Sequence, residues 1–418
     1  MELIVLKNGT RVALEERKDA LSAAVNIFVA SGSVCENKEQ EGTAHFIEHM
    51  IFKGSENYTS REIAEYGDMY GGTLNAYTTK QFTCFFARAL TEHFPHLLNI
   101  LCDMVTRPVF DKNSIETEKG VVLEEIGMYE DSPEELGFDL LDEAVWQGST
   151  LAHPILGTRE SVKSITQKSL FEFLDEFYSP ERCVISICGR FDRDSVLEEI
   201  EKSFGAKQKR NNPLSPTKTV FVPSSKLLKK DTEQTHIYYA FPGVSQFDKN
   251  RYAASVFSEI AGGGAASRLN MRIREELGLV YNTYCFNTPY LDCGVFGIWA
   301  ALNHENQLRF TDEAFQILDS MREFSGEAEL HRVKQQFKAN MIMNAESNAG
   351  TSAAIGRQLL IRGRYTPPEE TAKAIESVTE QEVREQAKRL FRPKECAVCV
   401  VGSPEKEEVY DGVIRKYL

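Results

Sequence analysis

The chain has 418 residues, 42% of them hydrophobic and 26% charged, ordinary globular proportions with apolar material for more than one core. A formal net charge of -14 leaves no basic excess to neutralise phosphates, which counts against nucleic acid and anionic membrane surfaces as partners and suits cationic ones. The 9 cysteines are scattered and odd in number, which argues against a disulfide framework and for a reducing compartment, and no apolar run approaches the roughly 18 residues of a membrane span.

The opening, MELIVLKNGTRVALEE, has no basic region followed by an apolar stretch and reads as a hairpin turning at Asn8-Gly9. The fold is expected to begin at residue one, in a soluble, unexported protein. VNIFVASGSV at 25–34 alternates like a strand and runs into a glycine turn. Gly42-Thr43 then offers a helix start, and Ala44, Ile47, Met50 and Ile51 fall at helical spacing, which predicts a helix over 45–52. His45 and His49 stand four apart on one face of it, a separation at which two imidazoles reach one zinc ion at roughly 2.0 to 2.1 Å each. Glu48 borders that face. It can act as base towards a water whose pKa zinc lowers to around 7, in the inverse order of the H-E-x-x-H arrangement.

Further along, NAYTTKQFTCFFARAL reads as a long hairpin, followed by a helix over 113–131 with Asp111 or Asn113 near its cap. A hydrolytic zinc site needs a third protein ligand and an open position for water. Glu118 and Glu125, seven apart on that helix, share a face, whereas Glu124 is turned about 100° away and is the weaker candidate. Ser132-Pro133 starts another helix, on which Glu135 and Asp139 stand four apart.

The chain then repeats itself. FYSPERCVISICGR at 177–190 pairs with LFRPKECAVCVVGS at 390–403, aligning Phe177 with Leu390, Pro180 with Pro393, Cys183 with Cys396 and Gly189 with Gly402. A nearly equal offset pairs 25–34 with THIYYAFPGV at 235–244. Two copies of one α+β unit follow, each with helices segregated against a mostly antiparallel sheet. The expected division is a domain at 1–205, a polar, proline-bearing linker at 206–220 and a second domain at 221–418. Cys396 and Cys399 read as small hydrophobes on opposite faces of a strand. In the second copy HFIEH falls on VFSEI, Val256 to Ile260, so both histidines become apolar and one half alone carries the chemistry.

GTAHFIEHMIFKG, GGTLNAYTTK, EKGVVLEEIGMYEDSPEE, HPILGT and GGGAASRLNMRIREELGLVY follow one another between residues 42 and 281, within a likeness that covers nearly the whole chain. Together they resemble the inverzincin peptidases of the pitrilysin and insulysin type, above all the shorter mitochondrial-processing-peptidase-like members. The resemblance implies one zinc ion per chain on His45, His49 and Glu125, with Glu48 as base and Glu118 as an additional glutamate beside the metal. It implies a substrate contact for Asn75, on a strand that can accept an extended peptide by edge pairing. Arg274 and Tyr281 match the pair that the inactive copy brings towards a substrate carbonyl or oxyanion. Glu135 and Asp139 match acidic residues that hold a basic side chain near the cut. The expected protein is a zinc endopeptidase acting on unfolded or short peptides, including leader segments with a basic residue. By analogy it is a homodimer; the simplest setting is a bacterial cytoplasm, and the charge leaves no nucleic acid or membrane partner expected. The alternative, a non-catalytic scaffold or peptide-holding subunit, would be expected to lack a histidine or Glu48.

Overall fold

In the computed structural model, which describes residues 1–215 and 219–418 and so leaves 216–218 of the expected linker outside, Asn8-Gly9 turns the chain between β1 (Glu2–Val5) and β2 (Arg11–Glu16). Gly9 takes the left-handed φ of +99° that this turn needs, and the Asn8 side-chain oxygen accepts from the Thr10 amide at 3.1 Å. The alternating segment becomes β3 (Ser22–Val29), the predicted hairpin becomes β4 (Thr73–Thr78) and β5 (Thr83–Leu90), and β6 is Cys183–Gly189. They line up as β1-β2-β6-β3-β5-β4, antiparallel except where β2 runs beside β6.

The second sheet holds β7 (Ser225–Lys229), β8 (Thr235–Pro242), β9 (Val280–Pro289), β10 (Gly294–Leu302) and β11 (Ala397–Gly402). Its order is β7-β11-β8-β10-β9, antiparallel except where β7 runs beside β11. With β1 set aside, the two orders match strand for strand, parallel pair included. The segments paired in sequence supply β6 with β11 and β3 with β8, so the duplication extends to the topology.

Two compact units result, and their segments interleave. Met1–Ile126, His153–Ser215 and Ile342–Thr366 form unit one; Gly127–Ala152, Pro216–Met341 and Pro367–Leu418 form unit two. They depart from a division at 1–205 and 221–418 by the segments around two helices: Pro133–Val145 belongs to unit two and Asn348–Arg362 to unit one. Packing explains the exchange. In unit one, Ile355, Leu359 and Leu360 of the second helix join Phe28, Cys84 and Val184 in one apolar cluster. A Cβ on its Gly356 would stand 2.4 Å from Ser186 Oγ and 2.5 Å from the Phe28 ring. Asn26 donates to Ser352 Oγ at 2.8 Å, and that hydroxyl donates to the Ser186 carbonyl at 2.7 Å. In unit two, Phe138 of the first helix meets the rings of Tyr238 and Phe286 edge-on, and a Cβ on Gly137 would stand 2.3 Å from the Tyr238 ring. Each helix covers a sheet face that would otherwise expose apolar side chains.

Cys396 packs partly buried against the main core of unit two, whereas the Cys399 thiol lies 3.5 Å from the Gly137 carbonyl on the other side of the sheet, and all the cysteines are free. No helix among the described residues is long and apolar enough to cross a membrane.

Gly137→Val and Gly356→Val are each expected to lower stability by about 1–3 kcal/mol through overpacking, read as a lower urea midpoint. Gly120→Ala, on an exposed helical position where a Cβ meets nothing within 4 Å, is the control. It should be neutral or stabilising by up to about 1 kcal/mol.

Candidate metal centre

The helix that carries both histidines spans Thr43–Ile51. It begins where Gly42 takes a left-handed φ of +83° and where a Cβ would meet the Leu156 carbonyl at 2.5 Å, so glycine is required there. No hydroxyl caps it. The Glu36 carboxylate, 1% exposed, does so from outside the helix, accepting from the amides of Gly42 at 2.8 Å and Ala44 at 2.7 Å. Burial pushes the Glu36 carboxyl up to about 8, against those two hydrogen bonds. Phe46, Ile47, Met50 and Ile51 anchor the helix in the core and thereby set the direction of the histidine face.

The second contributing helix, Lys112–Asp131, starts at Asp111, whose carboxylate accepts from the Ser114 amide at 2.9 Å. It brings Glu125 Oε2 to 3.4 Å from His49 Nε2 and 3.8 Å from His45 Nε2. One face and two turns earlier, Glu118, 3% exposed, meets the other nitrogen of His49, with Nδ1 and Oε1 2.8 Å apart. A carboxylate only accepts, so Nδ1 carries the hydrogen and Nε2 is the atom turned towards Glu125. Lys53 Nζ holds the other Glu118 oxygen at 2.7 Å. Glu124 is exposed, as its rotation around the helix predicts.

These contacts set the charge states. Burial, then the charge of His49, presses the His45 pKa down to about 4. Burial also opposes charge on His49, but the Glu118 and Glu125 carboxylates outweigh it and push that pKa up to about 9. The His49 hydrogen bond holds Glu125 below the usual carboxylate range. Glu118 lies below it too: burial opposes, and the hydrogen bonds from His49 and Lys53 prevail. Burial pushes Glu48 up, partly offset by a hydrogen bond from Thr78 Oγ1 to Glu48 Oε2 at 2.5 Å.

His45, His49 and Glu125 each offer a ligand atom, and these atoms lie within 4.8 Å of one another. Donors about 2.0 to 2.1 Å from a tetrahedral zinc stand about 3.4 Å apart, close to the 3.4 and 3.8 Å separations between Glu125 and the two imidazoles. Two imidazoles and one carboxylate also match the donor set of an open hydrolytic zinc site, so the residues fit the metal.

Thr78 lies on β4, the last strand of its sheet, whose outer edge has no strand partner among the described residues. Asn75 is exposed on the same strand, its side-chain oxygen accepting from the Ala76 amide at 2.8 Å. Unit one thus gathers His45, Glu48, His49, Glu118 and Glu125, with Asn75 on the strand that also carries Thr78. The other expected site residues belong to unit two. Arg274 is exposed in the wide helical turn Asn270–Glu276, Tyr281 is 74% exposed at the start of β9, and Glu135 and Asp139 lie on the helix Pro133–Val145. At the positions matching His45 and His49, the helix Arg251–Gly262 of unit two buries Val256 and Ile260 completely.

Glu36, Lys53 and Thr78 escaped the reading of the sequence. Lys53 had a visible signal, standing four residues after His49 in the same motif. Glu36 and Thr78 act across tertiary contacts that no local period reveals.

Residues 11–159 match the family model described as Insulinase (Peptidase family M16), and residues 164–337 match the Peptidase M16 inactive domain. The chain is 34% identical over 387 residues to a Bacillus subtilis protein described as uncharacterized zinc protease YmxG, covering 92% of this chain and 94% of that one. It is 34% identical over 388 residues to an uncharacterized zinc protease of Rickettsia felis, with the same coverage. Among solved structures it overlays a protease from Helicobacter pylori with a TM-score of 0.89 at 19% identity, over 96% of this chain and 99% of that one. A chain of Complex III2 from Candida albicans overlays with a TM-score of 0.83, also at 19% identity and over 99% of each. At that identity the two likenesses show a shared fold.

With its pKa near 9, His49 is protonated at pH 7 in metal-free protein, whereas His45 is already neutral. Zinc must displace the Nε2 proton of His49, so binding at pH 7 is expected to release about one proton. Below pH 9 apparent affinity should fall by about tenfold per pH unit. Calorimetry in buffers of different ionisation enthalpy counts the proton; zero release would mean that zinc displaces no proton from His49 Nε2.

Proposed function

The chain belongs to the insulinase family of peptidases, M16, and from that premise we propose that it is a zinc endopeptidase cutting unfolded or short peptides with water as nucleophile. The observation that carries this reading is the convergence of His45, His49 and Glu125 with Glu48 on the same helix as the two histidines. His45, His49 and Glu125 would hold the metal, and zinc bound there supplies Lewis acidity, polarising a carbonyl and bringing a water's pKa into the neutral range. Glu48 takes the proton from the attacking water and passes it to the leaving amine nitrogen. Burial raises its pKa towards neutrality, which suits both transfers. Glu118 keeps the His49 ring in one orientation.

An extended peptide adding to the unpaired edge of β4 would be held by main-chain hydrogen bonds, with Asn75 as a side-chain contact, and many sequences could bind that way. The family resemblance supports Arg274 and Tyr281 as donors to a substrate carbonyl or to the developing oxyanion. It also supports Glu135 and Asp139 as the carboxylates that accept a basic side chain of a leader-type substrate. A homodimer in a bacterial cytoplasm completes the reading.

In a quenched-fluorescent peptide library with arginine-rich members, cuts being located by mass spectrometry, Glu48→Gln is expected to keep zinc and lose about 10²- to 10⁴-fold in kcat. His45→Ala and Glu125→Ala should lose the metal. Wild-type turnover in Glu48→Gln would remove the base assignment. The double variant Glu135→Gln, Asp139→Asn is expected to raise KM for arginine-containing peptides and leave kcat alone; an unchanged cleavage pattern would remove the basic-residue pocket.

A further inference from the structure

A carboxylate has two oxygens, and a general base works only when one of them is turned to the water. For Glu48 the other oxygen is already engaged, with Thr78 Oγ1 2.5 Å from Oε2. A hydroxyl has one proton to give. The competing acceptor for Thr78 is Thr83 Oγ1 at 3.2 Å, and the Thr83 hydroxyl, fully buried, spends its own proton on the Ser31 carbonyl at 2.8 Å. The shorter, charge-assisted contact takes the Thr78 proton.

Thr78 is also held firmly. It faces Thr83 across the β4–β5 pair. The turn beyond is closed by the Thr79 amide and hydroxyl, which donate to the Phe82 carbonyl at 2.8 and 2.9 Å. Gly32 packs so tightly on this turn that a Cβ there would stand 2.2 Å from the Thr79 carbonyl. The hydroxyl is therefore a fixed point against which the flexible Glu48 side chain is set.

We propose that Thr78 is a positioning residue for the base, tying down Glu48 Oε2 so that Oε1 is presented to the attacking water. The proposal rests on the peptidase reading above. It differs from a purely structural role, in which the hydroxyl would satisfy a half-buried carboxylate without affecting the chemical step.

Thr78→Val keeps the side-chain shape and removes the donor; Thr78→Ser keeps the donor. On zinc-loaded enzyme, Thr78→Val is expected to retain zinc affinity and KM while kcat falls about 10- to 100-fold, the range for one hydrogen bond to a charged group. Thr78→Ser should recover most of the loss. The Glu48 carboxylate band, isolated as an infrared difference against Glu48→Gln, should shift in the valine variant and stay put in the serine variant. Wild-type kcat in Thr78→Val, a loss that appears in KM, a loss of zinc, or an unshifted band each overturns the positioning role. Wild type that holds zinc yet cuts no member of the library overturns the peptidase reading instead, and the infrared band still decides whether Thr78 grips Glu48.

Discussion

The hydrogen bond between His49 Nδ1 and Glu118 Oε1 decides which nitrogen of His49 faces Glu125, and the geometry of the candidate metal centre follows from that choice. An imidazole free to turn would present either edge. Glu118 removes that freedom because it is almost fully buried and its second oxygen is held by Lys53, so the carboxylate cannot rotate away. The cluster also has an uneven charge balance: Glu118 has Lys53 and His49 against it, while Glu48 and Glu125 bring two more carboxylates. A divalent cation held between His45, His49 and Glu125 would offset that surplus.

The residues around this bond come from elements far apart in the chain, each fixed by its own packing. The histidine helix is held at its start by Glu36 and along its length by four apolar side chains. The glutamate helix is capped at Asp111 and delivers two carboxylates two turns apart. The edge strand β4 has a double duty, offering an edge with no strand partner among the described residues while carrying the hydroxyl that engages Glu48. A site built on helices and a strand can keep its donors in place more tightly than one built on loops.

The second copy shows what the fold does without the chemistry. Its sheet keeps the strand order and the parallel pair, and its equivalent helix fills the two histidine positions with Val256 and Ile260, both in the core. An apolar pair packs there with no charge to compensate, whereas the histidine pair of unit one stands against the carboxylates of Glu118 and Glu125. The two halves of the chain are further tied by the helices they exchange, since each unit's packing is completed by a segment encoded in the other half.

Much of this was legible in one dimension. The helix period alone puts His45 and His49 on one face, Glu118 and Glu125 on another and Glu124 aside, because neighbours three, four or seven apart are fixed by local geometry whatever the rest of the chain does. The internal repeat likewise foretold two sheets of one design, including β6 with β11 and β3 with β8. Strand order, the exchange of the helices Pro133–Val145 and Asn348–Arg362, the cap supplied by Glu36 and the grip of Thr78 on Glu48 were decided by tertiary structure. Each of these joins residues whose separation in sequence has no period. Such contacts are selected by which apolar faces must be covered and which buried polar atoms must find partners, and those demands exist only once the chain has folded.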